Sequence, residues 1–216
     1  MTKDEMKKAV CQAIDEAAET IHETVLQIES EPELGYKETK TASKVESYMK
    51  ELGLMPQTGL ALTGVKARVD GGKKGPVVAV LAELDAVGTP DSPKADPLTG
   101  AAHTCGHFLQ MASMLAACTG IVKSGVMEEL SGSAVFFAVP AEEYVEIDYR
   151  KRLVKEGKIH FLGGKSELVY EGHFDDIDMA MMMHSQGNAP EKAVYIGKSS
   201  LSLIHISEPT RLALIS

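Results

Sequence analysis

Three short runs of small, branched or soft apolar residues limit what this chain can fold into: "PVVAVLA" at 76–82, "SAVFFAV" at 133–139 and "DMAMMMH" at 178–184. Each is apolar at successive rather than alternate positions, so each reads as a strand buried on both faces of a sheet. Such strands need helices above and below them, and the segments between have helical period. From Met6, the apolar positions Val10, Ile14, Ala17, Ile21, Val25 and Ile28 recur in steps of three and four. They form one face of an amphipathic helix that stops near "ESEPELG", where Pro32 disfavours helix at Glu31 and Gly35 loosens the chain. A second helix reads from about Thr39 to Leu52, with Ala42, Val45, Met49 and Leu52 inward and Gly53 as its stop.

Further along, "TGVKARVDGGKKGPVVAVLAELDA" is strand, Gly-rich turn, strand, followed by a long Pro/Gly/Asp loop through "HTCGH". Loops of that length without structure of their own are often functional. A helix from Phe108 to about Lys123 is apolar nearly all round and belongs in the core. "DYRKRLVKEG" reads as a surface helix with a solvated charged face, "KSELVYEG" as a shorter one, and "KAVYIGKS" as one more strand. The expected fold is α/β, with a mixed, mostly parallel sheet covered on both faces.

Charge and cysteine usage narrow the function. With 31 acidic against 22 basic residues the net charge is −9, which argues against a phosphate-tracking groove and hence a nucleic-acid partner. The charged start "MTKDEMKKAV" has no apolar leader region, and "PVVAVLA" is far short of a membrane span. Three widely spaced cysteines make no disulfide framework, so the expected setting is reducing and cytoplasmic. Cys105 is then free to act as a thiolate, whereas Cys11 and Cys118 lie within helices without partners.

In open α/β sheets, ligands gather beyond the carboxyl ends of the strands. Cys105 and His107 close the loop that leaves strand 76–84, Glu142 and Glu143 follow strand 133–139, and His184 ends strand 179–184. Thiolate, imidazole and carboxylate are all ligands for first-row divalent metals, zinc included. Gly106 allows the tight bend that lets Cys105 and His107 grip neighbouring positions, and the dipole of the helix beginning there favours a thiolate. Adjacent Glu142 and Glu143 would point to opposite sides of an extended chain, one toward a metal and the other free as a general base. His103 is either an outer support or a loop residue, and His22, His160 and His173 are structural or exposed. The Met181–Met183 run reads as buried strand rather than a soft-metal site. Two other readings stay open: Cys105 as a nucleophile activated by His107, and a closed, non-catalytic metal-binding module.

Taken together, "PELGYKETKTASKVESYMKELG", "AELDAV", "HTCGH", "VPAEE" and "MMMH", in that order, resemble the metal-dependent amidohydrolases of peptidase family M-twenty. The branch with aminoacylases, indole-acetyl-amino-acid hydrolases and aminobenzoyl-glutamate hydrolases is the most similar, over about residues 10–198. The resemblance implies a three-layer α/β/α catalytic domain of the zinc-exopeptidase type holding two divalent ions (Zn, Mn or Co). It implies Cys105 as a bridging ligand, His107, Glu143 and His184 as further ligands, Glu142 as general base and Asp85 in a supporting role. The substrates implied are N-acyl amino acids or related small aminoacyl amides, cleaved by metal-assisted attack of water on the amide carbonyl.

This chain departs from that pattern at Phe108, where the family has Asp or Asn, and in the long segment between "PAEE" and "MMMH", which would shape a pocket rim. The family also continues with a lid and dimerisation domain and a last histidine ligand; His205 comes too early to be that ligand. The expectation is that residues 1–198 are the N-terminal part of the catalytic domain, weak in metal binding and turnover alone. "LSLIHISEPTRLALIS" resembles translated sequencing-adapter read-through, so 199–216 is expected to be a non-native tail. Any homodimer would form through the absent domain.

Overall fold

A mixed five-stranded sheet runs through the structure, a computed structural model that describes residues 1–185. Its strands are β1 (Gln57–Leu60), β2 (Gly64–Asp70), β3 (Lys73–Glu83), β6 (Ser131–Val139) and β7 (Met179–Met182), in the order β1-β2-β6-β3-β7. The β1/β2 and β2/β6 pairs are antiparallel, and β6/β3 and β3/β7 are parallel. A two-stranded ribbon, β4 (Val87–Gly88) with β5 (Ala101–Ala102), closes the base of the long loop.

Alternation along the central strands divides the interior in two. On one face Val65, Ala67, Ala82, Leu84, Phe136 and Ala138 pack under α2 (Ala18–Ser30), α3 (Thr39–Glu51) and the core helix α4 (His107–Ser124). On the other, Val77, Ala79, Val135, Phe137 and Val139 meet Leu153 of α5 (Ile147–Lys155) and Leu168 of α6 (Gly164–Tyr170). The three-layer α/β/α arrangement follows from strands that carry apolar side chains on both sides.

Several sequence expectations change here. The first helix is broken at Ala17 into α1 (Lys3–Glu16) and α2, although Ala17, Ile21, Val25 and Ile28 all remain buried on one stripe. The ribbon β4/β5 and strand β1 were not legible as strands, being only two to four residues long. The "MAMM" strand is not buried: Met179 is 58% exposed and Met181 56%, because β7 is the edge of the sheet among the described residues. Nor is "DYRKRLVKEG" wholly solvated, for Arg150 in α5 is completely buried. The strand expected at "KAVYIGKS", His205 and the tail 199–216 lie outside the described residues. Among the described residues no helix is long and apolar enough to cross a membrane.

Glu38 ties the α3 end of the fold to the sheet. Its fully buried carboxylate accepts from Thr63 Oγ1 at 2.6 Å and from the Ala141 amide at 2.8 Å. Burial, then the neighbouring Asp85 charge, push its pKa up from 4.5 to about 7. Between those two values the folded chain holds a proton that the unfolded chain has released. This group's contribution to stability is therefore largest at the acid end and declines as pH rises from about 4.5 to about 7. Glu38→Gln keeps the acceptor for Ala141 and cannot ionise. Urea titrations should find the variant more stable than the parent at pH 8, with the gap closing toward pH 4.5.

Candidate metal centre

The carboxyl ends of β3, β6 and β7 lie together at one end of the sheet, and the N-terminus of α4 points into the same space. β3 delivers Glu83 and Asp85, the turn after β6 delivers Glu142 and Glu143, the end of β7 delivers His184, and α4 opens on His107. Gly106 caps α4 with φ at +95°, a left-handed conformation, and a side chain there would run into Ser185 Oγ. The left-handed conformation favours glycine, and it lets the chain turn from Cys105 into His107 in a single residue.

His107 is the centre of the cluster and is only 1% exposed. Its Nδ1 lies 2.8 Å from the Asp85 backbone oxygen and 3.3 Å from Asp85 Oδ1. A carbonyl only accepts, so Nδ1 carries the hydrogen and Nε2 is the free ring position. Nε2 faces Glu83 Oε2 at 2.9 Å, and Glu142 Oε2 and Glu143 Oε1 at 3.9 Å each. In a neutral ring that is a lone pair directed at carboxylate oxygens, which repels unless a proton or a cation stands among them. Burial alone would depress the imidazole pKa, yet Asp85, Cys105 and Glu83 outweigh it and raise the value well above the usual range.

His184 repeats the pattern. Its Nδ1 lies 2.6 Å from the Ser185 carbonyl oxygen, leaving Nε2 turned toward Cys105 Sγ at 3.3 Å. The two imidazoles meet edge-on with centroids 5.8 Å apart. Two ligand triplets result, each with donor atoms within 4.8 Å of one another: Cys105, His107 and His184, and Glu83, His107 and Glu142. They share His107, and the donor set of sulfur, imidazole nitrogen and carboxylate oxygen fits first-row divalent ions.

Glu83 was not among the residues singled out from sequence. It is buried and fixed on three sides: Gln110 Nε2 donates to Oε2 at 3.0 Å, Lys165 Nζ donates to Oε1, and His107 faces Oε2. Burial would raise its pKa, but His107 and Lys165 overcome this and hold it at about 2. A carboxylate closing the apolar run "VVAVLAE" was the available signal, since an acid buried at a strand end needs a partner. Asp85 stands behind His107, its Oδ2 also accepting from the Glu143 amide at 2.9 Å.

Glu142 and Glu143 do not diverge as an extended chain would require. Ala141 takes φ of +52°, the chain turns after Pro140, and both carboxylates come within 3.9 Å of the same imidazole nitrogen. Burial first, and then the charge on Glu83, raise Glu142 to about 7. The thiol of Cys105 also departs from expectation. His107 pulls its pKa down, but burial and the hydrogen bond to Glu143 prevail and the value is raised rather than lowered. His103 is half-buried beside Phe108, with ring centroids 5.8 Å apart, and its pKa is lowered to about 4 by burial and by His107. Phe108 itself packs against the core under α4 rather than serving the helix start.

The fold and this cluster define an α/β/α domain with a group of candidate metal ligands at the carboxyl edge of its sheet. No family model matches the chain. It is 28% identical over 187 residues to the N-acyl-L-amino acid amidohydrolase of Geobacillus stearothermophilus, covering 85% of this chain and 45% of that protein. It is 27% identical over 168 residues to the IAA-amino acid hydrolase ILR1-like 6 of Arabidopsis thaliana, covering 76% and 30%. Among solved structures, the Bacillus subtilis YXEP protein, described as a dinuclear metal binding peptidase from the M20 family, superposes with a TM-score of 0.63. That match is 24% identical and covers 79% of this chain and 44% of the other. The chain is thus similar in sequence to amidohydrolases and shares the fold of an M20 peptidase. It spans less than half the length of the curated relatives it matches.

Proposed function

We propose that this chain carries the metal centre of a hydrolase that cleaves the amide bond of N-acyl amino acids or related small aminoacyl amides. One observation carries the reading: His107 Nε2 and His184 Nε2, with the hydrogens of both rings committed to carbonyls, converge on one thiol and a group of carboxylates. The relatives' named activities on N-acyl amino acids and IAA-amino acids supply the substrate class.

Cys105, His107 and His184, with Glu143 beside them, would hold one or two divalent ions of the Zn, Mn or Co type. Glu83 joins His107 and Glu142 in the second triplet. When bound, such ions supply Lewis-acid polarisation of the amide carbonyl and ease the ionisation of water. The rest falls to the side chains. Asp85 fixes the His107 tautomer through the ring's Nδ1 edge. Lys165 offsets the charge of Glu83. Glu142, half-buried and with its carboxyl raised to about 7, accepts a proton from the attacking water and returns it to the departing amine. Small-molecule substrates are the proposed partners, and a cytoplasmic setting belongs to the same proposal.

Chelation separates this reading from a thiol hydrolase built on Cys105. Hydrolysis of N-acetyl amino acids should disappear when the protein is dialysed against a chelator and return with Zn, Mn or Co. Activity indifferent to chelation but abolished by thiol alkylation would replace the metal with a cysteine nucleophile.

A further inference from the structure

The turn that presents Glu142 and Glu143 does not hold itself. Ala141 sits at φ +52°, a conformation unfavourable for a residue with a Cβ that persists only when the surroundings impose it. The surroundings here are specific. The Glu38 carboxylate takes the Ala141 amide from one side, at 2.8 Å. From the other, the buried guanidinium of Arg150 donates through Nη1 to the Ala141 carbonyl at 3.3 Å and to the Leu162 carbonyl at 2.7 Å, and through Nη2 to the Glu143 carbonyl. The Gly164 amide adds a bond to the Ala141 carbonyl at 3.1 Å. Arg150 thus spans the two carbonyls that bracket Glu142 and ties them to the segment between α5 and α6.

Room for that guanidinium is made by a glycine. A Cβ on Gly35 would collide with Arg150 Nη2 and come within 2.9 Å of Ala141 Cα. The ring of Tyr36 lies 5.4 Å and that of Tyr144 5.8 Å from the Arg150 carbon centre, so the cation is bounded by aromatic faces as well as carbonyls. Few arginines are completely buried, and among the described residues this one forms no carboxylate pair; its polar contacts there are backbone carbonyls. A charge placed so is costly unless its geometry does something for the chain.

We propose that Arg150 is a positioning residue for the metal centre: by bridging the Ala141 and Glu143 carbonyls opposite the Glu38 carboxylate, it fixes the direction in which Glu142 and Glu143 face His107. The proposal rests on the metal-hydrolase reading. Arginine's planar fork is what the arrangement uses, because a lysine could carry the charge but could not span three carbonyls in fixed directions.

The test uses the full 216-residue chain with Arg150→Lys and Arg150→Met, and Arg152→Lys on the same helix as control. Cobalt(II) titration followed by its visible and thiolate charge-transfer absorption reads the metal site. Amide hydrogen exchange at Ala141 and Glu143, on metal-free protein, reads the turn. Both Arg150 variants should fold, bind cobalt roughly 10–100-fold more weakly with a changed spectrum, and exchange those two amides at least tenfold faster, while Arg152→Lys does none of this. Wild-type affinity, spectrum and exchange in a folded Arg150→Lys or Arg150→Met chain would overturn the proposal. So would failure of both variants to fold, which would make Arg150 a residue of the core alone. If the wild-type chain binds no cobalt, the metal reading is what has failed and this proposal goes with it. Slow exchange made fast by Arg150→Lys would then show only that the turn is clamped.

Discussion

Replacing His107 with alanine should remove metal binding from the chain by more than the roughly 10–100-fold that loss of an outer-shell partner costs. Both ligand triplets contain this ring, so neither survives its loss. The same change should destabilise the metal-free fold. Without metal the imidazole faces Glu83 at 2.9 Å and Asp85 at 3.3 Å, and these buried acids favour its protonated form. Removing one side of such a buried pair costs about 3–5 kcal/mol, because the other side stays behind without compensation. Urea unfolding in the presence of chelator measures that directly. A variant as stable as the parent would mean that the Lys165 charge and the Gln110 hydrogen bond suffice for Glu83, and that His107 is not the cation of the cluster.

Glu142→Gln should separate chemistry from binding. The amide side chain keeps the size and one acceptor but cannot take a proton. Hydrolysis of an N-acetyl amino acid by the whole protein should therefore fall by about 10²–10⁴-fold. Metal content, read by atomic absorption, should remain that of the parent, since His107, Cys105, His184, Glu143 and Glu83 are untouched. Loss of metal together with activity would make Glu142 a ligand, as its place in the second triplet allows. Retained activity would pass the proton-transfer role to another group.

Much of this centre was legible in the sequence because its residues sit at strand ends. An apolar run with no polar alternation announces a strand buried on both faces, and the residues just beyond its end share one edge of the sheet whatever their separation in the chain. That reasoning found Cys105, His107, Glu142, Glu143 and His184, and the family resemblance added Asp85; the structure brings all six together at one end of the sheet. The same reasoning missed Glu83, which stood inside the strand rather than after it. It also sent Glu142 and Glu143 to opposite sides, because the alternation rule assumes an extended chain and Ala141 is not extended. The left-handed residue is imposed by Glu38 and Arg150, from 103 positions before it and 9 after.

The misreadings elsewhere have the same origin. "MAMMM" looks buried because its composition is apolar, but burial belongs to the neighbours a strand acquires, and β7 has β3 on one side only among the described residues. "DYRKRLVKEG" looks solvated because it is charged, but the α5 face carrying Arg150 packs onto the turn after Pro140. Local pattern reports what a segment would prefer for itself. It says nothing of a partner that arrives from elsewhere in the chain.

What the sequence by itself determined was therefore the layer architecture, the edge on which chemistry-bearing side chains gather, and most of their identities, all of which follow from short-range periodicity. The tertiary structure decided the rest: that His107 is the shared centre, that Glu83 joins it, and that both carboxylates of "PAEE" face the same way. These depend on hydrogen bonds between segments about 20 to 100 residues apart, Glu83 with Gln110, Asp85 with Glu143 and Glu38 with Ala141, whose directions are fixed only once the sheet has brought their backbones together.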